Sequence, residues 1–119
     1  MQRIVVKAKI HRATVTRSDL DYEGSCSIDR ELMCLADILP GEQVHVLNLA
    51  NGERAVTYAI EGDSGEIGLN GAMAHLGRVG DLVILLSYAQ YEDDELRGHT
   101  PRIVFVDAAN RPRTEALTP

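Results

Sequence analysis

Pro40-Gly41-Glu42-Gln43-Val44-His45-Val46-Leu47 and Val79-Gly80-Asp81-Leu82-Val83-Ile84-Leu85-Leu86 are two versions of one pattern. Each passes from a glycine through an acidic residue into an apolar strand, and each follows a short helical segment. The two glycines stand 39 positions apart. One duplication is too little for a solenoid, which needs at least about three repeats. Two copies suit a small barrel with pseudo-twofold symmetry, whose closure also removes exposed sheet edges.

Outward from the repeat, short Val- and Ile-rich runs are broken by glycine, a strand signature. Strands are expected near Ile4–Ile10, Ala13–Arg17, Ser25–Ile28, Gln43–Asn48, Arg54–Ile60, Glu66–Leu69, Leu82–Tyr91 and Arg102–Val106. Asn51-Gly52 marks a hairpin turn, since both residue types tolerate positive φ. Gly62-Asp63-Ser64-Gly65 marks a second turn. Asp29 is placed to cap a first short helix through Leu32, Met33, Leu35 and Ala36, ended by Pro40-Gly41. Asn70 is placed to cap a second, across Ala72–Leu76. The segment from Asn110 onward has two prolines and no apolar periodicity, so it reads as loosely ordered.

The chain has 119 residues, 45% apolar and 25% charged, an ordinary mixture for one globular domain. The longest apolar run, Leu82–Leu86, is far too short for a membrane span. A net charge of −6 argues against general nucleic-acid binding, and four Tyr and one Phe leave few stacking platforms. The N-terminus has no apolar signal region, and Cys26 and Cys34 make neither a disulfide framework nor a zinc site, so a reducing cytoplasm is expected.

Most apparent motifs reduce to ordinary structure. Gly62-Asp63-Ser64-Gly65 resembles protease nucleophile loops in passing, but the chain lacks a suitably disposed His and Asp, and a polar turn suffices. His11, His45, His75 and His99 share no ligand spacing, so no metal is expected. Cys26 reads as a small core residue. No Gly-rich phosphate loop follows a strand, which leaves no cradle for a nucleotide or for pyridoxal phosphate. Glu23-Gly24-Ser25, read alone, is a loop entering a strand.

The surrounding residues change that reading. Lys9-Ile10-His11-Arg12 and Tyr22-Glu23-Gly24-Ser25-Cys26-Ser27-Ile28-Asp29 closely resemble the pyruvoyl-dependent L-aspartate alpha-decarboxylases. Asn51-Gly52-Glu53-Arg54, Thr57-Tyr58, Asn70-Gly71-Ala72-Met73-Ala74-His75 and Val79-Gly80-Asp81 continue the resemblance in order, over about residues 1–107. It implies a mainly β fold, a six-stranded double-psi β-barrel with short helices, spanning 1–107 with a loosely ordered tail at 108–119. It also implies a cytoplasmic homotetramer with active sites between subunits, supplying beta-alanine for pantothenate, with an accessory maturation protein left open.

The chemistry explains the residues. A decarboxylation leaves an electron pair that needs an acceptor, usually pyridoxal phosphate. The resemblance implies instead a pyruvoyl carbonyl made from Ser25, by self-cleavage between Gly24 and Ser25. The Ser25 hydroxyl attacks the Gly24 carbonyl, the resulting ester eliminates to leave dehydroalanine at position 25, and the dehydroalanine hydrolyses to the pyruvoyl group. Glycine at 24 is expected because a Cβ would obstruct that bend. Thr57 is the residue implied to hydrogen-bond the Gly24 carbonyl. Tyr58 is the implied proton donor, protonated at neutral pH. Arg54 and Lys9 are the implied counter-charges for the two aspartate carboxylates. Gly71, Ala72 and Met73 complete the substrate pocket, with Asn70, His11 and Tyr22 supporting. Strand alternation puts Arg54, Val56 and Tyr58 on one face of their strand and Thr57 on the other. Met73 stands where alanine is usual, and Leu47 where tryptophan is common. The rivals are a non-catalytic barrel module and a pyruvoyl decarboxylase for another amino acid.

Overall fold

The computed structural model describes residues 1–113. Eight strands form one sheet: β1 (Gln2–Thr14), β2 (Arg17–Asp19), β3 (Ser25–Asp29), β4 (Gln43–Asn48), β5 (Arg54–Gly62), β6 (Ile67–Asn70), β7 (Leu82–Glu92) and β8 (Arg102–Phe105). Their order is β2-β6-β3-β5-β4-β7-β1-β8. The pairs β1/β8, β2/β6 and β3/β5 are parallel and the others antiparallel. This mainly β chain with short helices is consistent with the double-psi barrel. The strand count exceeds the expected six because two very short strands, β2 and β8, add in parallel at the ends of the order.

The repeat is visible as matched hydrogen bonds. Gly41 N–H donates to Ala59 O (2.8 Å), and Ala59 N–H to Glu42 O (2.9 Å). In the second copy Gly80 N–H donates to Val15 O (2.8 Å), and Val15 N–H to Asp81 O (2.9 Å). Both glycines need their positive φ, +87° and +98°, although a Cβ would have free space at either. The acidic side chains then reach across to the other copy. Glu42 accepts from Ser87 Oγ (2.5 Å), at the middle of β7, and Asp81 accepts from Asn48 Nδ2 (2.9 Å), at the end of β4. Ser87 and Asn48 are themselves 39 positions apart. Burial raises the Glu42 pKa, but hydrogen bonds from Lys7, Ser87 and the Leu39 N–H outweigh it and hold the carboxyl low. The strands β4 and β7 pair antiparallel, so the two copies lie side by side.

Ile4–Ile10 and Ala13–Arg17, expected as separate strands, divide differently: β1 runs on through Ala13 and Thr14, and Arg17 opens β2. The β1 register shifts between Ile10 and Ala13, and Arg12 sits there at φ 64°. A bulge of this kind bends a strand without ending it. The Asn51-Gly52 turn is a longer connection, Leu49 to Glu53, in which only Gly52 has positive φ (+75°).

Helix α1 (Arg30–Ala36) begins as expected: Asp29 Oδ1 accepts from the N–H groups of Glu31 (2.7 Å) and Leu32 (3.2 Å). It ends earlier than Pro40, at Asp37 in the left-handed region. Residues Gly71–Leu76 form a 3₁₀ turn rather than an α-helix, and Asn70 makes no capping bond to it. Helix α2 (Asp93–Leu96) adds to the two helical segments expected from sequence. It is one turn long and closed by a Glu92/Glu95 capping box.

Ile10, Ile28, Leu32, Val44, Ile67, Leu69, Val83, Leu85 and Val104 fill the interior without solvent exposure. Each such side chain contributes about 1.5–3 kcal/mol relative to exposure. The tail needs correction between 108 and 113. Asn110 is buried, its Nδ2 donating to Thr14 O (2.8 Å) and Gly65 O (2.9 Å), and its Oδ1 accepting from Thr14 N–H (2.7 Å). Pro112 bridges to Val106, so this segment is tied to the barrel. The rest of the expected tail, 114–119, lies outside the described residues.

Candidate active site

Gly24 is exposed and Ser25, the first residue of β3, is buried at 1% accessibility. The peptide between them thus crosses from solvent into the barrel. Ser25 has φ 116°, a region almost confined to glycine. Backbone strain therefore sits on the residue that carries the hydroxyl. The expectation that a Cβ would be obstructed at Gly24 is corrected, because a Cβ there meets nothing within 4 Å. The crowding lies opposite. At Gly71 (φ +63°) a Cβ would stand 3.0 Å from both Gly24 Cα and Tyr22 O. Gly71→Ala is accordingly expected to displace the 22–24 loop and slow any reaction at the Gly24–Ser25 bond, read as the rate of chain cleavage by intact mass. Cleavage at the wild-type rate would show that the loop tolerates the shift.

Three strands bring the partners together. Ser25 pairs with Asn70 across β3 and β6, and β3 runs parallel to β5, which carries Tyr58. Tyr58 Oη donates to Gly24 O at 3.3 Å. Asn70 is wholly buried, and its Nδ2 donates to Ser25 Oγ (3.1 Å) and Ser27 Oγ (2.9 Å). The side chain thus serves Ser25 in place of a helix cap. Thr57, assigned by resemblance to the Gly24 carbonyl, does not make that contact; Tyr58 does. The alternation along β5 explains it: Arg54, Val56 and Tyr58 are exposed, whereas Thr57 is half-buried and pairs with Val44.

Other expected residues are distributed more widely. Arg54 is exposed on the Tyr58 face and has no carboxylate partner among the described residues. Ala72 is exposed, but Met73 is buried at 6% and packs into the core, so its side chain is a core group rather than a pocket wall. Leu47 pairs with Arg54 across β4 and β5. Tyr22 lies over the Arg17 guanidinium at 4.9 Å. Lys9 and His11 are on β1, three places from β5 in the sheet order. At ~4.8 Å per strand, that is on the order of 14 Å along the sheet. Lys9, like Arg54, has no carboxylate partner among the described residues. His11 opens onto a separate cleft of about 320 Å³ with Arg12, Phe105 and Asp107. Its ring stacks edge-on against Phe105 at 5.3 Å, and burial, then Lys9 and Arg12, lowers its pKa.

Cys26 is a core residue: burial, with a smaller effect of Glu66, pushes its pKa up to about 12. The sequence offers no reason to single out Arg17 and Ser27, which contact Asn70, or Glu66, which pairs with Arg17. They are brought together only by the β2/β6/β3 pairing.

Residues 1–113 match the aspartate decarboxylase family. The chain is also 54% identical, over 114 residues, to the aspartate 1-decarboxylase of Thermoanaerobacter pseudethanolicus, which covers 94% of this chain and 97% of that protein.

Proposed function

Because this chain belongs to the aspartate decarboxylase family, we propose that it converts L-aspartate to beta-alanine and carbon dioxide, using a pyruvoyl group made from its own Ser25. One observation carries this reading. A buried serine, strained at φ 116°, follows a carbonyl that already accepts a hydrogen bond from Tyr58.

The residues suit such a group. Attack by Ser25 Oγ forms a bond to the Gly24 carbonyl carbon and breaks the carbon–nitrogen bond, while the hydroxyl proton ends on the Ser25 nitrogen. The hydrogen bond from Tyr58 Oη holds the Gly24 carbonyl in place as Oγ attacks, with the strength of one ordinary neutral contact. Relief of the Ser25 conformation favours the same step. A pyruvoyl carbonyl at residue 25 would supply an electrophile for the substrate amine and an acceptor for the electron pair left by carbon dioxide. The chain's own groups then bind and protonate. Arg54 offers a two-pronged contact to one carboxylate. The Tyr58 phenol, beside residue 25, returns a proton to the substrate carbon.

Lys9 is the second counter-charge. A neighbouring subunit bringing it, with His11, to the site of a homotetramer is the reading we adopt from the family; the place of β1, three strands from β5 in the sheet order, supports it. Free Cys26 and Cys34 accord with a reducing cytoplasm.

The test supplies aspartate, glutamate and lysine in parallel to matured protein. Release of carbon dioxide and beta-alanine from aspartate alone is expected. Preference for lysine would remove Arg54 and Lys9 from carboxylate binding, and inertness toward all three would favour a binding module.

A further inference from the structure

Arg17, on β2, and Tyr58, on β5, lie on either side of β3 in the sheet order. Arg17 donates through Nη2 to Asn70 Oδ1 (3.3 Å) and Ser27 Oγ (3.2 Å) and pairs with Glu66 Oε2 (3.1 Å). Its Cζ stands 4.9 Å from the centre of the Tyr22 ring. One side chain therefore touches the loop before the bond and the residue that holds the Ser25 hydroxyl.

The chemistry of Asn70 makes this consequential. A carboxamide has a donor end and an acceptor end of nearly the same shape, so partners decide which way it faces. Hydroxyls accept either end. A guanidinium only donates, so it admits only Oδ1. With Oδ1 turned to Arg17, both Asn70 N–H groups face Ser25 and Ser27. The Ser25 oxygen then accepts from Asn70, and its own proton is directed away, free to leave as the oxygen attacks.

We infer that Arg17 is a positioning residue for self-cleavage: it orients the Asn70 amide, and through it the Ser25 hydroxyl, while its cation rests on the Tyr22 ring of the cleaved loop. The inference rests on the self-cleavage proposed above. It adds no reactant, since the first step moves one acyl group and one proton within the chain.

The experiment follows the fraction of intact chain over time by mass spectrometry, with thermal midpoints measured beside it. Arg17→Met is expected to slow cleavage at least about tenfold, the scale of one charge-assisted hydrogen bond lost from an oriented reacting group. Arg17→Lys restores a donor and a charge, and is expected to recover most of the rate. Glu66→Gln removes the ion pair but leaves the Arg17 donors, so its rate should stay within about fivefold of wild type. Midpoints should not track these rates.

Wild-type cleavage by Arg17→Met, failure of lysine to rescue, or equal slowing by Glu66→Gln would each overturn the inference. Should Arg17→Met not fold, the lysine and Glu66 variants still decide it. A wild-type chain that never cleaves would defeat the proposed function instead, which keeps the two failures apart.

Discussion

Ser25→Ala remains one intact chain of 119 residues, however long it is warmed, and forms no beta-alanine. The side chain loses the only atom able to take the acyl group from the Ser25 nitrogen. The fold should persist, for two reasons. Alanine and serine meet similar strain at φ 116°. Asn70 Nδ2 loses Ser25 Oγ but keeps Ser27 Oγ, so its buried amide is not left without an acceptor. A small change in thermal midpoint beside a complete loss of cleavage is therefore the expected pair of results. A variant that splits normally would move the nucleophile elsewhere and remove Ser25 from the account.

Tyr58→Phe separates maturation from turnover. In the uncut chain the phenol makes one hydrogen bond to Gly24 O, at 3.3 Å. Its loss should slow cleavage by no more than about tenfold, the scale of one ordinary hydrogen bond. In the mature enzyme the same hydroxyl is the proposed proton source for the substrate carbon. Removing a positioned general acid typically costs on the order of 10²–10⁴ in rate. Turnover per cleaved chain should fall by that much, with little loss of stability, because Tyr58 is 43% exposed. Normal beta-alanine production by fully cleaved Tyr58→Phe would take Tyr58 out of the donor role. A block of cleavage itself would show that its contact with Gly24 matters more than its later proton.

What the sequence made legible follows from how local each cause is. The two Gly-acid-strand copies could be read because a glycine at positive φ and an apolar run are features of neighbouring residues. Their reciprocal contacts, Glu42 with Ser87 and Asp81 with Asn48, could not, because they need two strands already side by side. The bulge at Arg12 was hidden for a related reason: a shift of register leaves the apolar pattern looking like two strands.

At the site, strand alternation placed Tyr58 correctly with the exposed face of β5 and gave warning that Thr57 would not share it. The resemblance alone assigned Thr57 to the Gly24 carbonyl, and the geometry gives that contact to Tyr58. Asn70 looked like a helix cap because its side chain suits caps and networks equally; the strand partner, Ser25, decides between them. The crowding expected at Gly24 is found at Gly71. Open space surrounds the first, while the second lies so close to the loop that a methyl group would collide. Arg17, Ser27 and Glu66 are far apart in sequence and ordinary in type, so only the folded strands disclose them.

The central claim is that the Gly24–Ser25 bond of this chain opens by itself. Intact mass of purified wild-type protein, fresh and after long warm incubation, tests it most directly. The expected spectrum holds two species: a fragment of residues 1–24, and a fragment from residue 25 whose first residue is a keto acyl group, reactive toward hydrazines and without a free amine. A single unbroken chain at every time, with Met1 as its only amino end and no hydrazine-reactive carbonyl, would contradict the account.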